Sequence, residues 1–187
     1  MTRDEALSIV RSMVGNEALV RHMLAVEAAV RAYALDYGGD PDLWGLAGLL
    51  HDADWEKHPV EHPKVIVSAL RERGDVPEEV VRAIEAHAEE RTGVEPESDL
   101  DKVLYACDEL AGFINACALM RPQRLEGLEP KGVEKRLKTA TFAAGVNRDD
   151  VNRGIELLGV DRAAHIRRVI AAMREIAPEL GLEPAAG

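Results

Sequence analysis

The stretch LAGLLHDADWEKHP, residues 46–59, decides how this chain reads. An apolar run ends abruptly in His51-Asp52, and Asp54 and Glu56 follow within four residues. A helix end fraying into solvent would account for it. So would a metal site in the interior. The flanking sequence separates the two.

Working outward, Asp40 followed by Pro41 at the first helical position starts the helix that ends near His51. Upstream, Thr2 and Glu5 form a capping box for a helix over about 3–14. Asn16 caps a long second helix that runs to about Tyr37 and stops at Gly38-Gly39. Downstream, the pattern predicts a helix over about 60–73, another opened by Pro77, and a long one capped by Ser98 that reaches about Met120. The stretch 122–146 is less regular and holds a short basic helix; Asn147 and Asp161 cap the last two. No segment alternates with period two over six residues, so no strand is expected. The prediction is one all-α domain of eight or nine helices spanning 1–187, with a core over about 16–120 and a helical extension over about 121–180.

Composition narrows the function. Apolar residues are 47% of the 187, enough for a packed core. The formal net charge of −11 argues against a nucleic-acid polymer or an anionic membrane as partner. Cys107 and Cys117 fall on one predicted helix about 15 Å apart, too far for a bridge, and read as reduced thiols of a cytoplasmic protein. The N-terminal residues are charged and amphipathic rather than a signal peptide.

The six histidines carry the argument. Side chains three and four residues apart share a helix face. By that rule His22 lies with Ala18, Leu19, Ala25 and Val26, and His62 with Val65, Ile66 and Ala69. His87 lies with Val80, Ala83 and Ile84, and His51 with Trp44, Ala47 and Gly48. Asp108 lies with Leu104, Tyr105, Ala111 and Gly112. His58, in a loop, and His165, beside Arg162 and Arg168, fall outside this inward set. One inward histidine is ordinary core. Four of them with Asp52 and Asp108 would leave several unsatisfied polar groups in one small domain unless they converge. A shared cation satisfies them together, and imidazole with carboxylate suits iron, manganese, zinc, cobalt or nickel. Ala47 and Gly48, and Ala111 and Gly112, are small enough to leave it room.

The order His22, His51-Asp52, His62, His87, Asp108 resembles the H…HD…H…H…D signature of the HD-domain superfamily of metal-dependent phosphohydrolases, over roughly residues 16–120. The resemblance implies a first metal on His22, His51, Asp52 and Asp108. It implies a second on His62 and His87, with Asp52 bridging. Many mononuclear members carry an acid three residues after the motif aspartate, where this chain has Trp55. That departure leaves the general acid or base open, and the two further histidines, His62 and His87, favour the dinuclear type. The implied reaction is cleavage of a phosphate ester of a small molecule or nucleotide by a metal-activated hydroxide.

Around that site, Asp54 or Glu56 is the expected proton shuttle. Residues 121–138 hold six basic and three acidic residues, and Arg121 and Lys138 are the expected phosphate contacts. Trp44 and Trp55 are read as core rather than pocket wall. Two other readings remain: a mixed-valent diiron oxygenase on the same ligand set, and a non-catalytic regulatory metal-binding domain.

Overall fold

The computed structural model describes residues 1–184. Among them are nine α-helices of eight residues or more, two single-turn helices, and no strand. The all-α expectation holds.

Two long helices form the centre. Helix α2 (Glu17–Ala34) begins at Asn16, whose side chain accepts the Ala18 N–H, and buries Val20, Met23, Leu24 and Val26. Helix α7 (Asp99–Leu119) begins at a Ser98–Asp101 capping box and buries Leu104, Leu110, Phe113 and Ile114. Against this pair pack α3 (Pro41–Leu50), on α2, and α5 (Glu78–Ala86), on α7, and α1 (Arg3–Met13) packs on α3. Helix α4 (Lys64–Arg73) covers α5. From the C-terminal part, α9 (Arg148–Leu158) lies on α7, and α10 (Arg162–Glu175) on both α2 and α7. Helix α8 (Pro130–Leu137) packs on α10 and α7. The short α6 (Glu89–Thr92) and α11 (Ala177–Leu180) finish the set.

Two glycines set the close crossings that position the site. A Cβ on Gly48 would lie 2.7 Å from the Cα of Glu27, so α3 crosses α2 backbone to backbone. A Cβ on Gly154 would lie 2.6 Å from the Cα of Ala106, so α9 sits equally close on α7. Gly48 was expected to leave room for an ion. It faces α2 instead, and what it permits is the approach of two helices.

Three local expectations are corrected. The helix expected over about 60–73 begins at Lys64, so His62 lies in the preceding turn rather than on a helix face. Trp55 is exposed beside a cavity, whereas Trp44 is buried and stacked on Tyr37. His165 is buried. Its Nδ1 meets the Tyr33 hydroxyl at 2.6 Å and its Nε2 meets the Ala106 carbonyl at 3.1 Å. The flanking arginines do not share solvent with the imidazole: Arg168 reaches the Tyr33 ring and Asp36, and Arg162 reaches Asn152.

Candidate metal centre

Four histidines and two aspartates meet where α2, α3, α5 and α7 come together. His22 comes from the second turn of α2 and Asp108 from the middle of α7. His51 and His87 are the C-caps of α3 and α5, and Asp52 and His62 lie in the turns between α3 and α4. Helix ends suit this role. Adjacent residues diverge by about 100° within a helix, and both members of His51-Asp52 reach one centre because the helix stops between them.

The distances are short and ordered. His22 Nε2 lies 2.9 Å and His51 Nε2 3.4 Å from Asp108 Oδ1. Asp52 turns its Oδ2 toward these two rings, at 3.8 Å from His22 Nε2 and 3.6 Å from His51 Nε2. Its Oδ1 faces the other two, at 3.4 Å from His62 Nε2 and 3.8 Å from His87 Nε2. One carboxylate thus stands between two pairs of imidazoles.

The far nitrogens of three rings are already engaged. Nδ1 of His51 donates to the Gly48 carbonyl at 2.8 Å, and Nδ1 of His87 to the Ile84 carbonyl. Nδ1 of His62 donates to Asp54 at 2.7 Å. A carbonyl can only accept, so the neutral His51 and His87 rings carry their proton on Nδ1; the carboxylate partner of His62 assigns that ring the same way, and each Nε2 lone pair then points into the centre. His51 Nε2 is fully buried there with no hydrogen-bond partner. The Nε2 atoms of His62 and His87 face each other at 3.2 Å, where two lone pairs would repel unless a cation lay between or beside them.

These donors fit a divalent transition metal. An ion with bonds of about 2.0–2.2 Å spaces its ligand atoms by about 3–4 Å, as here. Imidazole nitrogens anchored through Nδ1 are the usual form of a metal ligand. Two overlapping groups, His22–His51–Asp108 and His51–Asp52–His87, each bring three ligand atoms within 4.8 Å of one another.

The electrostatics agree. Burial opposes charge on His51, yet Asp52 and Asp108 push its pKa up to about 9. Burial likewise opposes ionisation of Asp52 and Asp108, but the imidazoles, His51 foremost, hold both carboxyls well below the usual range. Burial and the Asp108 charge push Glu109, the next residue, up to about 7. The site carries an excess of negative charge and attracts a cation.

A cavity of about 370 Å³ opens from the cluster. Trp55, Glu89, Arg91, Tyr105, Glu109 and Asp150 contribute to its wall. Trp55 stands edge-on to His62, at 5.1 Å between ring centroids, and the Arg91 guanidinium lies over the indole at 4.9 Å.

The remaining predicted residues fall elsewhere. Asp54 is fully buried, and its oxygens take His62 Nδ1–H and the Ile66 N–H, so it positions the His62 ring and does not line the cavity. Glu56 accepts the N–H groups of Gly15 and Asn16 at 3.0 and 2.9 Å, tying the turn before α2. Arg121 lies thirteen residues beyond Asp108, about 20 Å along the helix direction, and donates to the Arg124 carbonyl. Lys138 borders a different pocket, with Glu134, Arg148 and Arg162. Nearness in sequence to Asp108 suggests both as phosphate contacts, but α7 carries Arg121 away along its axis and Lys138 lines a separate pocket. Conversely, Tyr105, Glu109 and Asp150 were not singled out. Tyr105 and Glu109 share a face with Asp108 and Gly112, a stripe that was read only for its apolar members.

Residues 19–112 match the HD domain family, half of the chain, and the chain belongs to that family. Its members are generally metal-dependent phosphohydrolases. No curated protein and no solved structure matches the chain. No helix among the described residues is long and apolar enough to cross a membrane.

Proposed function

We propose that this protein is a metal-dependent phosphohydrolase that cleaves a phosphate ester of a small molecule or nucleotide at a site for two divalent cations. The observation that carries this reading is the position of Asp52, whose two oxygens face separate imidazole pairs. His22, His51 and Asp108 with Asp52 Oδ2 would hold one ion; His62 and His87 with Asp52 Oδ1 would hold the other. Bound there, such ions lower the pKa of water and withdraw charge from a phosphoryl oxygen.

The chain's own residues prepare the site for that chemistry. Gly48, Ile84 and Asp54 hold three imidazoles in one orientation, with Nδ1 engaged and Nε2 toward the centre, so no tautomer change is needed when a cation displaces a proton there. Trp55 covers one side of His62 and limits water there. Arg91, on the same wall, offers a planar donor group to a phosphoryl oxygen.

The test is metal analysis of the purified protein, then a phosphatase substrate panel with that metal restored, run in air and without oxygen. Phosphate release in both atmospheres supports the reading. Turnover that requires O₂ and two irons replaces it with the oxygenase. A stable protein that takes up no metal replaces it with the regulatory domain.

A further inference from the structure

The cavity beside the imidazole cluster has an unexpected charge for a site that takes phosphate. Besides Asp52 and Asp108, its lining carries Glu89, Glu90, Glu109 and Asp150. Among the described residues Arg91 is the one cationic side chain on that lining, and no lysine borders it. Part of Arg91 is already engaged, over the Trp55 ring and on the Pro59 carbonyl. Arg153, beside the wall, is paired with Glu89 and lies over the Tyr105 ring at 5.5 Å.

Glu109 and Asp150 are held in place. Glu109 Oε2 accepts the Asn147 N–H at 3.2 Å, and Asp150 Oδ1 accepts the Tyr105 hydroxyl at 2.8 Å. Each carboxylate has acceptor capacity beyond one such bond. The Gly154–Ala106 contact presses α9 against α7, so that Asp150 faces the cavity beside Tyr105. Asp150 lies outside the family-matched segment, which ends at residue 112. This part of the wall is therefore contributed by the chain beyond the shared domain.

On the phosphohydrolase reading, a substrate phosphate would have its charge met at one end by cations held on the His–Asp cluster. Whatever it is esterified to meets carboxylates. Further negative charge there is repelled, and a positive group is drawn in. We propose that the substrate is a small phosphate monoester whose alcohol carries a protonated amine, selected by Glu109 and Asp150 and not by any base-reading contact. This rests on the phosphohydrolase reading above, and it disfavours nucleoside di- and triphosphates.

The experiment uses three size-matched esters, 2-aminoethyl phosphate, 2-hydroxyethyl phosphate and carboxymethyl phosphate, with p-nitrophenyl phosphate as a general probe and the protein loaded with manganese. It reads kcat/KM and, separately, the calorimetric affinity for 2-aminoethylphosphonate against ethylphosphonate. The expected order is cation, neutral, anion, with about tenfold or more between cation and neutral, the size of one charge-assisted hydrogen bond. Asp150→Asn and Glu109→Gln each compress the cation-to-neutral ratio by about tenfold in both readouts; should one variant fail to fold, the other decides. Turnover without that ranking, or a ranking unmoved in both variants, overturns the proposal and leaves the phosphohydrolase reading standing. No turnover of any ester, p-nitrophenyl phosphate included, overturns both.

Discussion

His62 donates its Nδ1–H to Asp54 at 2.7 Å, and the second oxygen of that fully buried carboxylate takes the Ile66 N–H at 3.0 Å. Asp54 therefore ties the turn that carries His62 to the first turn of α4. Removing it leaves two buried donors without an acceptor. Asp54→Ala should cost about 2–4 kcal/mol of stability and weaken metal affinity by about 10–100-fold. Urea denaturation and metal titration check both. Saturating metal should restore turnover; a variant that binds metal fully and still fails to turn over would make Asp54 a direct participant.

Asp52 stands between both imidazole pairs, and no other described carboxylate does. Asp52→Ala should abolish retained metal and turnover together, measured by elemental analysis and by the substrate panel. In the native protein, free metal at about 100 times Kd should raise stability by about 2.7 kcal/mol, and a chelator should remove that increment. The variant should show no increment. Full retention of bound metal by Asp52→Ala would reject the ligand assignment.

Gly48 has a different use from the one its size suggested. A methyl group there would meet the Glu27 Cα at 2.7 Å, which is backbone and cannot turn aside. Gly48→Ala should therefore destabilise the fold by about 1–3 kcal/mol and shift His51 relative to His22, lowering metal affinity as well. Denaturant midpoints and a metal titration give the two readouts. An unchanged midpoint would show that the α2–α3 crossing has slack.

The acid side of the stability curve should report His165. Its Nε2–H donates to Ala106 and its Nδ1 accepts from Tyr33, an arrangement that suits the neutral ring, and burial lowers its pKa. The unfolded chain, with a value of about 6.5, binds the proton more readily. Stability from this residue is thus complete above about pH 6.5 and is lost as pH falls through the folded value, with a slope of up to about 1.4 kcal/mol per pH unit. The difference in urea midpoint between the native protein and His165→Gln, both metal-loaded, should shrink from pH 7.5 to 5. A difference that stays constant would refute the assignment.

Much of this was legible in one dimension because it depends on local rules. The Thr2–Glu5 and Ser98–Asp101 boxes, Asn16 and the Asp40-Pro41 start each place a helix end through contacts within four residues. The inward histidines were legible because a polar group on an apolar face needs a partner. The roles of Asp54, Glu56, Arg121 and Lys138 were not. Each depends on where a turn or a helix end points, and nearness along the chain stands in poorly for nearness in space.

By itself, then, the sequence determined that this chain is helical and that His22, His51, Asp52, His62, His87 and Asp108 have to be satisfied together. Tertiary structure alone decided which nitrogen of each ring faces inward, that Asp52 divides its oxygens between two pairs, and that α9 brings an acidic wall to the cavity. The reason is physical: helix formation and burial follow from side chains a turn apart, whereas tautomer, bridging and cavity charge are set by backbone carbonyls and carboxylates from segments distant in the chain.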